Sequence, residues 1–171
     1  MSTRDILSDA AARPLAAAEG LRPVLDRETL NGHPGGHDNS IAWLLWHTGR
    51  EIDAQLAGLT GESQIWETGE YARRTGLGDA GGQVGYGHTP EQARAIRVDD
   101  ADALYDYLTE ATDALINYVN TLGDVELDEV IDENWTPPVT RGARLVSIIG
   151  DALQHVGQAA YAAGSLKNIA G

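Results

Sequence analysis

Apolar residues return every three or four positions in four stretches of the chain, and between those stretches the pattern dissolves. That spacing marks a helix with one buried face. The first stretch runs from about Asp5 to Leu25. It is alanine-rich, with Leu15, Glu19 and Leu21 among good helix formers and Pro14 marking a kink or a late start. The second opens at Asn39 or Ser40, both natural N-caps, and reaches about Leu59. Ile41, Leu45, Thr48, Ile52, Leu56 and Leu59 form its stripe, which Leu44 widens toward His47. The third follows Asp99 or Asp100. Ala101, Leu104, Tyr105, Leu108, Ala111, Leu115, Tyr118 and Leu122 keep the helical period until Gly123. Thr140 caps the fourth, which extends to roughly Ser165 around Leu145, Ile148, Ile149, Ala152, Val156, Ala159 and Ala163.

The connections are long. Residues 60–98 form an irregular excursion, glycine-rich from Gly76 to Gly87, with one short helix opened by Thr89, Pro90 and Gln92 in capping-box order. Long ordered loops are often functional. Pro137 and Pro138 keep the approach to the fourth helix non-helical. No alternating strand pattern and no internal repeat is visible. The expected architecture is all-α: a four-helix bundle with long connections and short extra helices, one domain over residues 1–171.

Composition narrows the chemistry. The chain has 171 residues, enough to bury roughly two thirds of its unfolded surface, so neither a disulfide nor a metal is needed for folding. Cysteine is absent, which excludes disulfides, zinc–thiolate clusters and a cysteine nucleophile, and fits a reducing, cytoplasmic setting. Any thiol must come from a substrate. Lys+Arg 12 against Asp+Glu 26 gives a net charge of -14 with no basic run, so no nucleic-acid partner is expected. No stretch is long and apolar enough to suggest a membrane span. Asp124, Glu126 and Asp128 superficially resemble an EF-hand loop but lack its central glycine and closing glutamate.

Within the fourth stripe, Asp151 and His155 stand four residues apart on one helix face, at the edge of the apolar surface. His47 occupies the matching flank of the second helix. Two imidazoles and a carboxylate from two helices can share a divalent ion and leave coordination positions open, as catalysis requires. The same residues also read as an ion pair beside a core-edge histidine. Glu51, one turn after His47, either supports the site or lies on an exposed face. Arg144 and Gln158 share a flank with Asp151 and either face a substrate or serve packing and solvation. His33, His37 and His88 lie outside the ligand pattern. Trp43, Trp46, Trp66 and Trp135 read as core residues, with pocket wall as the alternative.

Four segments in order, NSIAWLLWH (residues 39–47), GYGHTPEQ (85–92), WTPPV (135–139) and LQHVGQAAY (153–161), resemble the DinB/YfiT-like superfamily in its actinobacterial, mycothiol-transferase-like branch. The resemblance covers nearly the whole chain. It implies a four-helix bundle in which three residues, usually histidines, hold a divalent metal. One ligand lies in the second helix and a pair four apart in the last. His47 and His155 match two of these positions; Asp151 falls where the family has a third histidine. A carboxylate there suits zinc, nickel, iron or manganese.

The implied activity is a metal-dependent S-transferase joining a small, mycothiol-like thiol to an electrophilic substrate. The expected setting is a cytoplasmic homodimer. A metal-dependent hydrolase and a non-catalytic, stress-related metal- or ligand-binding bundle are the alternatives.

Overall fold

The computed structural model describes residues 2–169. In chain order the helices are α1 (Thr3–Glu19), α2 (Arg27–Leu30), α3 (Ile41–Thr60), α4 (Ile65–Thr68), α5 (Tyr71–Arg74), α6 (Pro90–Ala95), α7 (Asp102–Thr121), α8 (Asp124–Asp128) and α9 (Arg141–Ile169). Between α8 and α9, strands β1 (Val130–Asp132) and β2 (Val139–Thr140) pair antiparallel. The long helices α1, α3, α7 and α9 form an all-α bundle. Each of α1 and α3 packs against both α7 and α9, so α1 and α3 lie diagonally opposed.

Local chemistry accounts for most helix ends. Ser2 and Asp5 close a capping box around the start of α1. Pro14 stays inside that helix, buried, without ending it. The helix stops at Glu19, short of the expected Leu25, because Pro23 has no N–H to donate back to Glu19 and its ring crowds that carbonyl, so the chain tightens into a 3-10 turn. Ser40 Oγ caps α3 by accepting from Trp43 N at 3.1 Å, and Gly61 ends it in the left-handed region at φ 76°. The capping box at Thr89 and Gln92 forms as expected, and Thr140 Oγ1 accepts from Ala143 N at 3.2 Å to open α9. That last helix continues past Ser165 to Ile169.

The apolar stripe of α9 is buried at every position expected, from Leu145 to Ala163. Each large aliphatic side chain so buried contributes about 1.5–3 kcal/mol. Helix α3 departs from expectation. Every residue from Ile41 to Asp53 is buried, polar ones included, because the 60–98 excursion wraps the face that a simple bundle would leave in water.

Part of that excursion is ordered by a cap no local pattern shows. Asp53 accepts from Ile65 N and Trp66 N at 2.8 Å each, and so starts α4 from a different element. Helices α4 and α5 and the β1–β2 pair are therefore additions to the elements legible in the pattern. Farther along, the Asn31 side chain bonds Val98 N and O at 3.0 and 2.6 Å and ties the two connections together.

Candidate metal centre

The α3–α9 contact brings His47, Asp151 and His155 together, with one ligand atom from each lying within 4.8 Å of the others. Donors about 2.1 Å from a common ion stand roughly 3–3.5 Å apart, so small side-chain rotations would close this set on a cation. His155 Nε2 lies 3.4 Å from Asp151 Oδ1, and the two imidazole rings meet edge to face at 4.5 Å. His47 is buried, His155 nearly so, and Asp151 reaches solvent on one side. The cluster is thus held from within the protein and open outward.

Hydrogen bonds decide which nitrogen of each ring is available. His47 Nδ1 lies 2.5 Å from the Val84 carbonyl, an obligate acceptor, so Nδ1 carries the proton and Nε2 keeps its lone pair. His155 Nδ1 faces Gln158 Oε1 at 3.0 Å, which leaves its Nε2 on the Asp151 side. Such outer partners orient metal-binding imidazoles and fix their tautomers. His88 has the opposite arrangement: its Nδ1 accepts from Trp43 Nε1 at 3.2 Å, placing the proton of the neutral ring on Nε2.

Burial is the main cause that holds His47 below the ordinary imidazole range; the Val84 carbonyl opposes it, and neighbouring His155 adds to it. A neutral imidazole is the form that binds metal. Gly85 closes this side of the site. At φ 96°, its Cα lies so near the helix that a Cβ would meet His47 Nδ1 at 2.8 Å and Trp46 at 2.9 Å. Trp43 stacks on His47 with ring centroids 4.6 Å apart.

Glu51 is buried rather than exposed. It accepts from Gln55 through one oxygen, while Oε2 has no partner. Burial first, and then the negative charge of Asp151, push its carboxyl up to about 9. An orphaned buried oxygen and a neighbouring carboxylate, beside two imidazoles with free Nε2 atoms, fit a cation better than they fit each other.

A groove of about 880 Å³ opens beside His155. Its walls come from the segment before α3, including Pro34, His37 and Asn39, and from α9, including Gln154, Gln158 and Tyr161. Gln158 therefore touches both a metal-type ligand and the groove. Arg144 turns to β1, with Nη2 3.4 Å from Asp132 Oδ2, and is not among the residues that line the groove. His33 Nδ1 bonds the His37 carbonyl at 2.9 Å, which shapes the loop at the groove's edge.

Three of the tryptophans, Trp43, Trp46 and Trp66, are core; Trp135 is exposed, contrary to the core reading, because the β1–β2 hairpin holds it away from the bundle. Sequence reasoning missed Val84 and Gly85 at the site, and the buried Arg50. The glycine-rich run was the one available signal.

Comparison with known proteins agrees with this architecture. The family model of the DinB superfamily matches residues 7–159, and the chain belongs to that superfamily. A conserved protein of Enterococcus faecalis, known from its crystal structure, is similar over 98% of this chain and 99% of its own, at 32% identity and a TM-score of 0.89. No curated protein matches the chain.

Proposed function

We propose that this chain is a divalent-metal-dependent enzyme that activates a small thiol, of mycothiol-like type, for transfer to an electrophilic substrate. The observation that carries the reading is the convergence of His47, Asp151 and His155, with both free imidazole nitrogens on one side, at the edge of a groove. When bound, a divalent cation lowers the pKa of a coordinated thiol so that thiolate exists at neutral pH. His47 and His155 would hold it through Nε2 and Asp151 through a carboxylate oxygen, and zinc, nickel, iron and manganese all accept such a donor set.

The remaining tasks fall to other residues. Gln158 keeps the His155 ring in its tautomer, Trp43 and Gly85 shield the inner face from water, and the groove receives the organic part of the substrates. The chain has no cysteine, so the thiol enters from solution.

Metal analysis of protein purified without an affinity tag tests the first half of the reading. Activity assays with metal restored, with and without an added thiol, test the second. Obligatory thiol supports the transferase. Ester or amide hydrolysis at equal rates with and without thiol would replace it with a hydrolase, and a protein that takes up no divalent metal would be a binding bundle.

A further inference from the structure

Four consecutive backbone carbonyls, those of residues 81–84, are taken up by side chains of the single helix α3. Trp46 Nε1 donates to the Gly81 carbonyl at 3.3 Å. Arg50 donates from Nη2 to the Gly82 carbonyl and from Nε to the Gln83 carbonyl, both at 3.1 Å. His47 Nδ1 completes the run at the Val84 carbonyl. The strap that results lies flat on the helix, and glycine makes the approach feasible. A Cβ at Gly85 would strike His47 and Trp46 of α3, and one at Gly81 would strike Trp66 of the adjoining α4 at 2.5 Å.

Arg50 supplies two of the four bonds, and its planar fork suits two neighbouring carbonyls as an ammonium does not. Its side chain is 3% exposed. Asp53 and Tyr107 engage only Nη1, at 3.5 and 3.2 Å, and leave Nε and Nη2 to the strap. Asp53 already accepts from Ile65 N, Trp66 N and the Tyr107 hydroxyl at 2.8 Å each. Among the described residues, only Arg50 bonds the Gly82 and Gln83 carbonyls. The Val84 carbonyl follows directly in the chain, so the position of the group that accepts the His47 proton depends on where Arg50 pins the strap.

We propose that Arg50 is a positioning residue: by clamping residues 81–85 against α3 it keeps the Val84 carbonyl on His47 Nδ1, and so fixes the tautomer that presents Nε2 to Asp151 and His155. The effect on the imidazole belongs to the metal-free protein. Its consequence for metal affinity rests on the proposed function.

Two variants separate the clamp from general support of the fold. Arg50→Lys keeps a positive charge beside Asp53 and Tyr107 but cannot bridge two carbonyls. Tyr107→Phe removes the hydroxyl that accepts from Arg50 Nη1 and donates to Asp53, but leaves the Nε and Nη2 bonds to the strap in place. Nitrogen-15 NMR of histidine-labelled, metal-free protein reads the His47 tautomer, and chelator competition reads zinc affinity.

R50K is expected to convert a single Nδ1–H tautomer into a mixture and to weaken zinc binding by about 10- to 100-fold, the usual effect of losing an outer-shell partner. Y107F is expected to leave both readouts at the wild-type value. A folded R50K with the wild-type tautomer overturns the proposal, as does a Y107F that moves both readouts equally. Arg50→Gln, whose side-chain amide cannot bridge both carbonyls, touches neither His47 nor the strap's glycines and serves if R50K does not fold. A folded R50Q that keeps the wild-type tautomer overturns the proposal too. If wild-type protein takes up no zinc, the metal reading fails and the tautomer comparison alone decides the role of Arg50.

Discussion

Two polar clusters are rooted in one seven-residue stretch of α3, His47 to Asp53, whose own side chains are buried, and they are built on opposite terms. In the first, Arg50, Asp53 and Tyr107 satisfy one another: the hydroxyl donates to the carboxylate and accepts from the guanidinium, while backbone N–H groups and carbonyls take the remaining bonds. In the second, Glu51 keeps an unpartnered oxygen beside Asp151, and His47 and His155 leave a nitrogen free. A satisfied network is complete without help and stabilises the fold. An unsatisfied one carries an energetic cost that a ligand of the right charge relieves. The contrast separates structure from function along one helix.

The comparison can be broken most severely by Asp53→Ala. Losing that carboxylate leaves Arg50 as an uncompensated buried charge and orphans two N–H groups at the start of α4, so the expected destabilisation is about 3–5 kcal/mol by chemical denaturation. A loss below about 1 kcal/mol would mean that the first cluster is no more structural than the second.

The second cluster should respond to cations instead. Zinc at about 100 times its dissociation constant should stabilise the wild-type protein by about 2.7 kcal/mol. His155→Ala should abolish that gain while leaving the metal-free protein folded. The gain should also shrink progressively as pH falls past the ordinary imidazole value of about 6.5, because each protonated imidazole is lost to the cation. Burial holds His47 below that value, so it remains neutral to lower pH than an exposed histidine would. Thermal denaturation with and without metal across pH 5–8 measures both effects.

A smaller change, Glu51→Gln, tests the strain in the second cluster. The raised carboxyl retains its proton in the folded state up to about pH 9. Its contribution to stability is therefore complete below the unfolded value, about 4.5, and is lost as pH climbs through the folded one. Wild-type, metal-free protein should lose stability steadily between those limits. The neutral amide should flatten the slope and gain on the order of 2 kcal/mol at pH 8. Parallel pH profiles for the two proteins would show that Glu51 is not held protonated.

The smallest effect belongs to Gln158→Ala, which frees His155 Nδ1. Zinc affinity should fall about tenfold with little change in the stability of the metal-free protein, and competition with a chelator would show it. An unchanged affinity would assign Gln158 to the groove alone.

Which of these clusters a reader of the sequence finds depends on distance along the chain. Asp151 and His155 are legible because i and i+4 share a helix face whatever the rest of the protein does. Glu51 has the same relation to His47, yet its burial could not be read off, since the residues that cover it come from elsewhere. Arg50 and Asp53 look like ordinary surface charges on an amphipathic helix. Their partners, Gly82, Gln83, Ile65, Trp66 and Tyr107, lie at separations that periodicity does not reach. Trp135 shows the converse: a large aromatic residue expected in a core, placed outside by a strand pair too short to leave an alternating pattern.

From sequence alone follow the four long helices, the stripes that pack them, the caps at Ser40, Thr89 and Thr140, and the superfamily. Hydrophobic period and capping chemistry act within a turn or two and are written into neighbouring residues. The pattern also placed His47, Asp151 and His155 at stripe edges, where convergence was an expectation. Tertiary structure decided that they meet, which nitrogen each imidazole keeps free, that Glu51 loses its water, and that a glycine-bearing strap seals the inner side. These depend on how a long excursion folds back over α3, and desolvation and hydrogen bonding between distant segments exist only once that surface has closed.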